Sequence, residues 1–340
     1  MTEPVTHRPG NRCASGGDAV EQRTETGSGG SPSGGLHADI RRALTMSPEH
    51  RSTVVDGCVI RWLAWGEPRG PAVLFVHGGA AHSWWWSFTA PLLADRHRVL
   101  AIDLSGHGDS GRRERYSFTT WAAEINAVLD VESSTDPVLV GHSMGGIVAT
   151  VAAVHRQGPL AGLVLVDAPL SNAHISNFDG EHGTLGRTRT YRTKDEAVAR
   201  FRPLPPQPVT SDELVAHIAR HSVRRTPDGQ WTWKFDPSAF TRIQPDRPAE
   251  LWSLIHRLTC PVGAIVAERS TVVIPQDRAR LTGPQDGSHP RIACQLLDGN
   301  HHVMLDRPVE LVQALRALLD EWSDGATDEG GTAGDVGVVS

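Results

Sequence analysis

Gly141-His142-Ser143-Met144-Gly145-Gly146 is the stretch that decides how this chain folds. It follows an apolar run at 137–140 that reads as a buried strand, and it precedes a helical pattern at 147–155. A serine with glycines two positions to either side fits G-x-S-x-G, the sharp strand-to-helix turn that lifts a nucleophile above a sheet edge. Small residues are needed there because a Cβ would collide with neighbouring chain. The helix that starts beside Ser143 would aim unpaired N–H groups at developing negative charge.

Working outward, strand and helix signals alternate. Residues 52–56 and 59–65, split by Gly57-Cys58, read as a hairpin. Strands are expected at 72–76, 98–104, 163–166, 262–266 and 292–297, and helices at 82–93, 118–131, 249–258, 276–281 and 308–322. Such alternation predicts an α/β fold with a mostly parallel sheet covered on both faces. Ligands then bind beyond the carboxyl ends of the strands. Residues 171–250 break the alternation and are too long for an ordinary connection. With a helical stretch at 212–221 and interleaved Trp, Phe and Leu, they read as an inserted, largely helical cap. The core is thus assigned to 46–170 and 251–323. Residues 1–45 contain the Gly/Ser-rich run 27–35 and are expected to stay disordered, as is a flexible Gly/Asp-rich tail at 324–340.

Two further segments carry chemistry. His77-Gly78-Gly79-Ala80 closes strand 72–76, and its glycines let backbone N–H groups turn inward. The N–H groups of Gly79 and Met144 are the expected oxyanion donors. Gly299-Asn300-His301-His302 lies between the last strand and the last helix. A serine hydroxyl needs an adjacent base, and imidazole suits neutral pH. His301 is assigned that role and His302 a packing or pocket-lining one. A two-histidine metal site lacks the supporting carboxylate and cysteine pattern, so no metal is expected. Trp84, Trp85 and His142 are the candidate substrate-binding residues, since Trp can line an acyl or aromatic pocket.

With these segments the chain resembles the α/β-hydrolase superfamily, in its capped serine hydrolase branch. The carriers are His77-Gly78-Gly79, the 103–110 segment Asp-Leu-Ser-Gly-His-Gly-Asp-Ser, Gly141-His142-Ser143-Met144-Gly145 and the His301 loop, spanning about residues 53–322. The resemblance implies an eight-stranded, mainly parallel sheet with the cap inserted after the sixth strand. It also implies a base seven residues before the proline that opens the last helix, a spacing that His301 and Pro308 satisfy. In most members the triad acid follows the seventh strand. Here that turn reads Ala267-Glu268-Arg269-Ser270-Thr271, and Ser270 holds the acid's position. Asp167, at the end of the sixth strand, is one substitute, as in some relatives. Glu268 is the alternative acid, and a site without a working acid stays open.

The segment 106–111 also matches G-x-G-x-x-G, but a lone match is weak and it falls on a loop of the hydrolase pattern, so no cofactor is expected. The 340 residues carry a formal net charge of −6, which argues against a general nucleic-acid binder. No apolar run approaches the roughly 20 residues of a membrane span. Four scattered cysteines and no apolar leader suit a reducing cytoplasmic setting. The expected function is serine hydrolysis of a small, largely apolar ester or related acyl compound through an acyl-enzyme. A carbon–carbon-bond hydrolase with the same triad is a near variant, and a non-hydrolytic ligand-binding protein on the same fold is the alternative from another class. The partner expected is a small-molecule substrate; the oligomeric state is left unknown.

Overall fold

In the computed structural model, which describes residues 35–132, 134–171, 189–242, 251–283 and 292–328, the first element is helix α1 (Ala38–Thr45). An antiparallel hairpin follows, β1 (Glu49–Val55) and β2 (Cys58–Trp65), turning at Asp56-Gly57. Then come β3 (Ala72–Val76), β4 (Arg98–Asp103), α2 (Phe118–Val131), β5 (Val138–His142), α3 (Met144–His155) and β6 (Gly162–Val166). The inserted segment contributes β7 (Thr190–Tyr191), α4 (Lys194–Ala199), α5 (Asp212–His221), β8 (Val223–Arg225), β9 (Trp231–Trp233) and α6 (Ser238–Thr241). The chain returns through α7 (Leu251–Ile255), β10 (Val262–Ala267), α8 (Pro275–Thr282), β11 (Ile292–Leu297), α9 (Val303–Asp306) and α10 (Pro308–Asp328).

One sheet has eight strands in the order β1-β2-β4-β3-β5-β6-β10-β11. β2 pairs antiparallel with β1 and β4, and every other pair is parallel. The period-2 alternation of strand side chains sorts this sheet into two cores. Leu74, Val76, Leu100 and Ile102 face α2 and α3, meeting Trp121, Ile125, Ile147 and Val148. Val73, Phe75, Val99 and Ala101 face the other side, where α10 supplies Leu311 and Leu315 and α1 supplies Ile40. β3, β4, β5 and β6 are buried along their whole length, as expected of parallel strands covered on both faces. Each such Leu, Val or Ile contributes about 1.5–3 kcal/mol by leaving water.

Some expectations shift. Residues 38–45 are a helix rather than part of a disordered extension, because Ile40 and Ala43 recur at helical spacing and are buried in the core that α1 shares with α10. The rest of that extension, 1–34, lies outside the described residues. The helix expected at 82–93 is instead two 3₁₀ turns, Ser83–Trp86 and Ala90–Leu93. Pro91 opens the second turn and cannot donate to a continuous helix ladder. α10 continues to Asp328, past the point where a tail was expected; 329–340 lie outside the described residues. The described part of the insertion combines three helices with a three-stranded antiparallel sheet, β7-β9-β8.

The cap is fastened to the core by polar contacts. Tyr116 Oη donates to Asp236 (2.8 Å), Lys234 Nζ to Asp109 (2.7 Å), and Thr210 Oγ1 to the Leu305 carbonyl (2.8 Å). The glycines of the 106–111 loop face protein atoms. A Cβ on Gly108 would lie 2.2 Å from Asp103 Cγ, and one on Gly106 would lie 2.7 Å from the Tyr116 ring. That loop is built to wrap the Asp103 carboxylate, which burial raises to about 6 although the Ser83 and Asp109 N–H groups donate to it. Among the described residues no helix is long and apolar enough to cross a membrane.

Candidate active site

Ser143 sits between β5 and α3 with φ 53° and ψ −124°, a left-handed backbone that costs free energy in a residue other than glycine. The turn closes only with glycine on either side. A Cβ on Gly141 would lie 2.4 Å from the Gly145 carbonyl oxygen, and one on Gly145 would lie 2.4 Å from that of His77. Ser143 is the N-cap of α3, yet its side chain makes no capping hydrogen bond. At α2, α4 and α5 the N-cap hydroxyls of Ser117, Thr193 and Ser211 do accept one. The Ser143 hydroxyl thus stands at a helix N-terminus without the duty such a position usually imposes.

The loop after β3 lies directly over this turn. A Cβ on Gly78 would meet the His142 Nδ1 at 2.9 Å and the Ser143 Cβ at 3.3 Å, so only glycine permits the approach. His77 anchors the loop. The Leu104 N–H donates to its Nε2 at 3.2 Å, so Nδ1 carries the proton and donates to the Gly78 carbonyl at 2.8 Å. Burial pushes the His77 imidazole down to about 4, keeping it neutral. Gly79 and Met144, the expected oxyanion donors, follow the two residues that face each other here, Gly78 and Ser143.

Opposite stands the loop after β11. His301 is 3% exposed, and its Nδ1 lies 2.7 Å from Asp167 Oδ2, with Asp167 wholly buried. Asp167 follows β6 at φ 44°, a left-handed conformation that Asp tolerates better than most residues. Its Oδ1 accepts the Ala267 N–H at 2.9 Å, and its Oδ2 also accepts the Ser270 hydroxyl at 2.6 Å. Ser270 Oγ in turn accepts the N–H groups of Val272 (3.1 Å) and Val273 (3.0 Å). Ser270, which holds the usual acid's position, therefore orients the carboxylate that arrives from β6. Reading that position only for a carboxylate missed it, although a hydroxyl there was the available signal. Glu268, the other acid considered, is exposed, its N–H bound to the Leu297 carbonyl.

His142 and His302 line the same space. His142 Nε2 faces the His301 carbonyl at 3.0 Å; a carbonyl only accepts, so Nε2 carries the proton and Nδ1 the lone pair. Burial first, then the His301 ring, holds His142 well below the usual histidine range. Trp85 is buried with its ring 5.1 Å from His302 and 6.2 Å from Phe201 of the cap. Trp84 points elsewhere, stacked at 3.5 Å on His221 of α5, where it joins cap to core. Trp86 is fully buried against Phe75, its ring edge-on to His142 at 6.3 Å. The three tryptophans thus take separate neighbours: of the two expected as pocket residues, Trp85 meets the histidine loop and Trp84 meets α5.

The alpha/beta hydrolase family profile matches residues 73–314, a span that takes in all of these loops. The chain belongs to that family. Among curated relatives it is 28% identical to esterase Rv0045c of Mycobacterium tuberculosis, over 78% of this chain and 88% of that one. It is 30% identical to a pimeloyl-[acyl-carrier protein] methyl ester esterase of Methylococcus capsulatus, over 60% of this chain and 78% of the relative. Among solved structures, the thioesterase domain from the curacin biosynthetic pathway superposes with a TM-score of 0.65 at 24% identity, covering 81% of this chain and 100% of that one. As an alpha/beta hydrolase, the chain has Ser143, His301 and Asp167 in the loops after β5, β11 and β6.

Proposed function

We propose that the protein is a serine esterase acting on a small, largely apolar ester through an acyl-enzyme, with Ser143 as nucleophile, His301 as base and Asp167 as the acid that orients it. The observation that carries this reading is the 2.7 Å contact from His301 Nδ1 to the buried Asp167 carboxylate. The contact fixes the proton on Nδ1 and leaves Nε2 to take the serine proton. Ser143 Oγ attacks the ester carbonyl, and the oxyanion is held by the Gly79 and Met144 N–H groups. His301 passes the proton to the departing alcohol, and water then cleaves the acyl-enzyme by the same route in reverse. The Trp85 ring beside His302, with Phe201 on its other contact, favours an apolar acyl group. The names of the two esterase relatives agree with ester chemistry.

A fluorophosphonate probe combined with a p-nitrophenyl ester chain-length series tests this. Labelling should map to Ser143, with turnover highest on short to medium acyl chains. Ser143→Ala should abolish both, with kcat falling by up to about 10⁶, the scale seen when a serine protease loses its nucleophile. An unlabelled wild-type protein with no turnover would favour a ligand-binding role instead.

A further inference from the structure

We infer that Gln207, a cap residue with no part in the mechanism above, is a positioning residue for His301 and grips the base loop on both sides of that histidine. The inference rests on the role given to His301 as base. Gln207 lies in the stretch Leu204-Pro205-Pro206-Gln207-Pro208, between α4 and α5. The three prolines offer no N–H to a helix or a ladder, and Gln207 meets the core through its side chain.

Its amide spans two groups of opposite kind. Oε1 accepts the His302 N–H at 2.7 Å, and Nε2 donates to Asp306 Oδ1 at 3.1 Å. A backbone N–H only donates and an ionised carboxylate only accepts, so the amide has one orientation. Turned round, it would set donor against donor and acceptor against acceptor. The other Asp306 oxygen, Oδ2, accepts the Asn300 N–H at 2.7 Å and the Asn300 side-chain amide at 2.8 Å. Gln207 therefore holds the residue after His301 directly and the residue before it through Asp306.

His301 is thereby fixed at four points. Its ring Nδ1 meets Asp167 Oδ2 at 2.7 Å, and its carbonyl accepts from His142 Nε2 at 3.0 Å. The N–H groups on either side of it are taken by Asp306 and Gln207. Three of these holds come from core residues and the fourth comes from the cap. His302 is the N-cap of α9, a helix of four residues, and a single turn is not stable by itself. Releasing Gln207 frees the start of α9 and lets the imidazole swing about its Asp167 contact. Misplacement of a reacting group by about 1 Å costs about a hundredfold in rate. The base is therefore fully aligned only while the cap segment that carries Gln207 is seated.

Two variants and a control test the assignment, with kcat, KM, Tm and the rate of fluorophosphonate labelling read for each. Gln207→Leu keeps the size of the side chain and removes both hydrogen bonds. It should lower kcat and the labelling rate by about ten- to a hundredfold, with KM changed little. Gln207→Glu keeps the acceptor for the His302 N–H but sets a second carboxyl group against Asp306. Two carboxyl groups at that distance share a proton, and the protonated acid donates as the amide does. Its kcat relative to the wild type should fall as pH rises from about 6 to about 9; a ratio independent of pH overturns the assignment. Lys234 Nζ fastens the cap to Asp109, on a loop other than the base loop. Lys234→Met should therefore leave kcat within a few-fold of wild type. If it lowers kcat as far as Gln207→Leu does, the effect is cap docking and the assignment fails. It fails equally if folded Gln207→Leu keeps half of wild-type kcat. In both of those cases, loss of turnover in His301→Ala leaves the esterase reading standing. A wild type that neither labels nor turns over ester removes both.

Discussion

Asp167→Asn separates orientation of the base from packing of the fold. The side chain is wholly buried and accepts three hydrogen bonds: Ala267 N–H on Oδ1, and the Ser270 hydroxyl and His301 Nδ1 on Oδ2. An asparagine of nearly the same shape keeps its carbonyl on the Ala267 N–H, since turning the amide round would set two donors face to face. Its NH₂ then occupies the Oδ2 position. The Ser270 hydroxyl must turn its proton away from that NH₂, while its two lone pairs stay on the Val272 and Val273 N–H groups that hold the loop after β10. His301 cannot adapt so cheaply. To meet a donor its Nδ1 must give up the proton, which moves to Nε2, the nitrogen that should receive the serine proton. The amide also leaves the imidazolium of the transition state unbalanced. The same exchange in a serine protease lowers kcat by about 10⁴, or about 5.5 kcal/mol of transition-state stabilisation. A p-nitrophenyl ester assay read beside a urea melt should show that loss with a small change in midpoint. Glu268→Gln, at an exposed position, should lie within a few-fold of wild type. An Asp167→Asn protein that keeps a tenth of wild-type kcat, or a Glu268→Gln protein that loses it, would refute the assignment.

Stability should fall as pH drops from about 6.5 towards 4. His77 and His217 are pushed down to about 4 and His221 to about 3 by burial, and His82, His107, His142 and His302 lie well below their usual value for the same first cause. The unfolded chain binds these protons below about 6.5 and the folded chain refuses them; His77 alone should cost about 3 kcal/mol by pH 4. The Asp103 carboxyl, raised to about 6, and the Glu124 carboxyl, raised by burial, work in the opposite direction as two groups against seven. Calorimetric Tm should therefore fall steadily over this range, and a flat Tm would count against buried neutral rings. Ile40→Ala should destabilise by about 2–5 kcal/mol in urea melts, because Ile40 is 0% exposed in the core that α1 shares with α10; a loss under half a kcal/mol would mean that α1 is not docked. Gly145→Ala should sharply reduce soluble yield or turnover, because its Cβ meets the His77 and Val76 carbonyl oxygens at 2.4 and 2.5 Å. Gly158→Ala is the tolerated control, its closest contact being 3.8 Å to a flexible arginine.

What could be read in the sequence followed from periodicity and from fixed local geometry. The bounds of β3, α2, α5 and β11 match the expected ranges, because each is a run of consistent period with a turn signal at its ends. The Ser143 turn was legible for a stricter reason: its backbone conformation tolerates only small neighbours, so the fold writes the glycines into the chain. Features that depend on distant contacts were not legible. The 38–45 helix is marginal as an isolated segment and exists through Ile40 and Ala43 docking beside α10. The cap sheet is made of strands of two or three residues, too short for alternation to register. Nothing in Ser83-Trp84-Trp85-Trp86 says which ring meets the histidine loop, because a 3₁₀ turn sends successive side chains about 120° apart.

The acid shows most clearly what a pattern in sequence leaves out. A residue-by-residue reading asks which side chain occupies an expected position, and at Ser270 the answer was a hydroxyl. The imidazole responds only to where negative charge arrives in space. β6 and β10 are parallel neighbours, paired Val262 to Leu163 through Ile265 to Val166, so their carboxyl ends emerge side by side. A carboxylate leaving β6 can therefore reach the point that one leaving β10 would reach, provided that its backbone turns sharply and its far side is held. The left-handed φ of Asp167 supplies the turn, and the Ala267 N–H and Ser270 hydroxyl supply the hold. Ser270→Ala should accordingly cost less than Asp167→Asn, on the scale of one hydrogen bond to a charged group, about 1.5–3 kcal/mol. It should act mainly on kcat and its pH profile, with Ser270→Thr restoring much of the loss. If Ser270→Ala instead matches Asp167→Asn, the hydroxyl does more than hold the carboxylate in place; if it changes nothing, the backbone turn alone suffices to aim it.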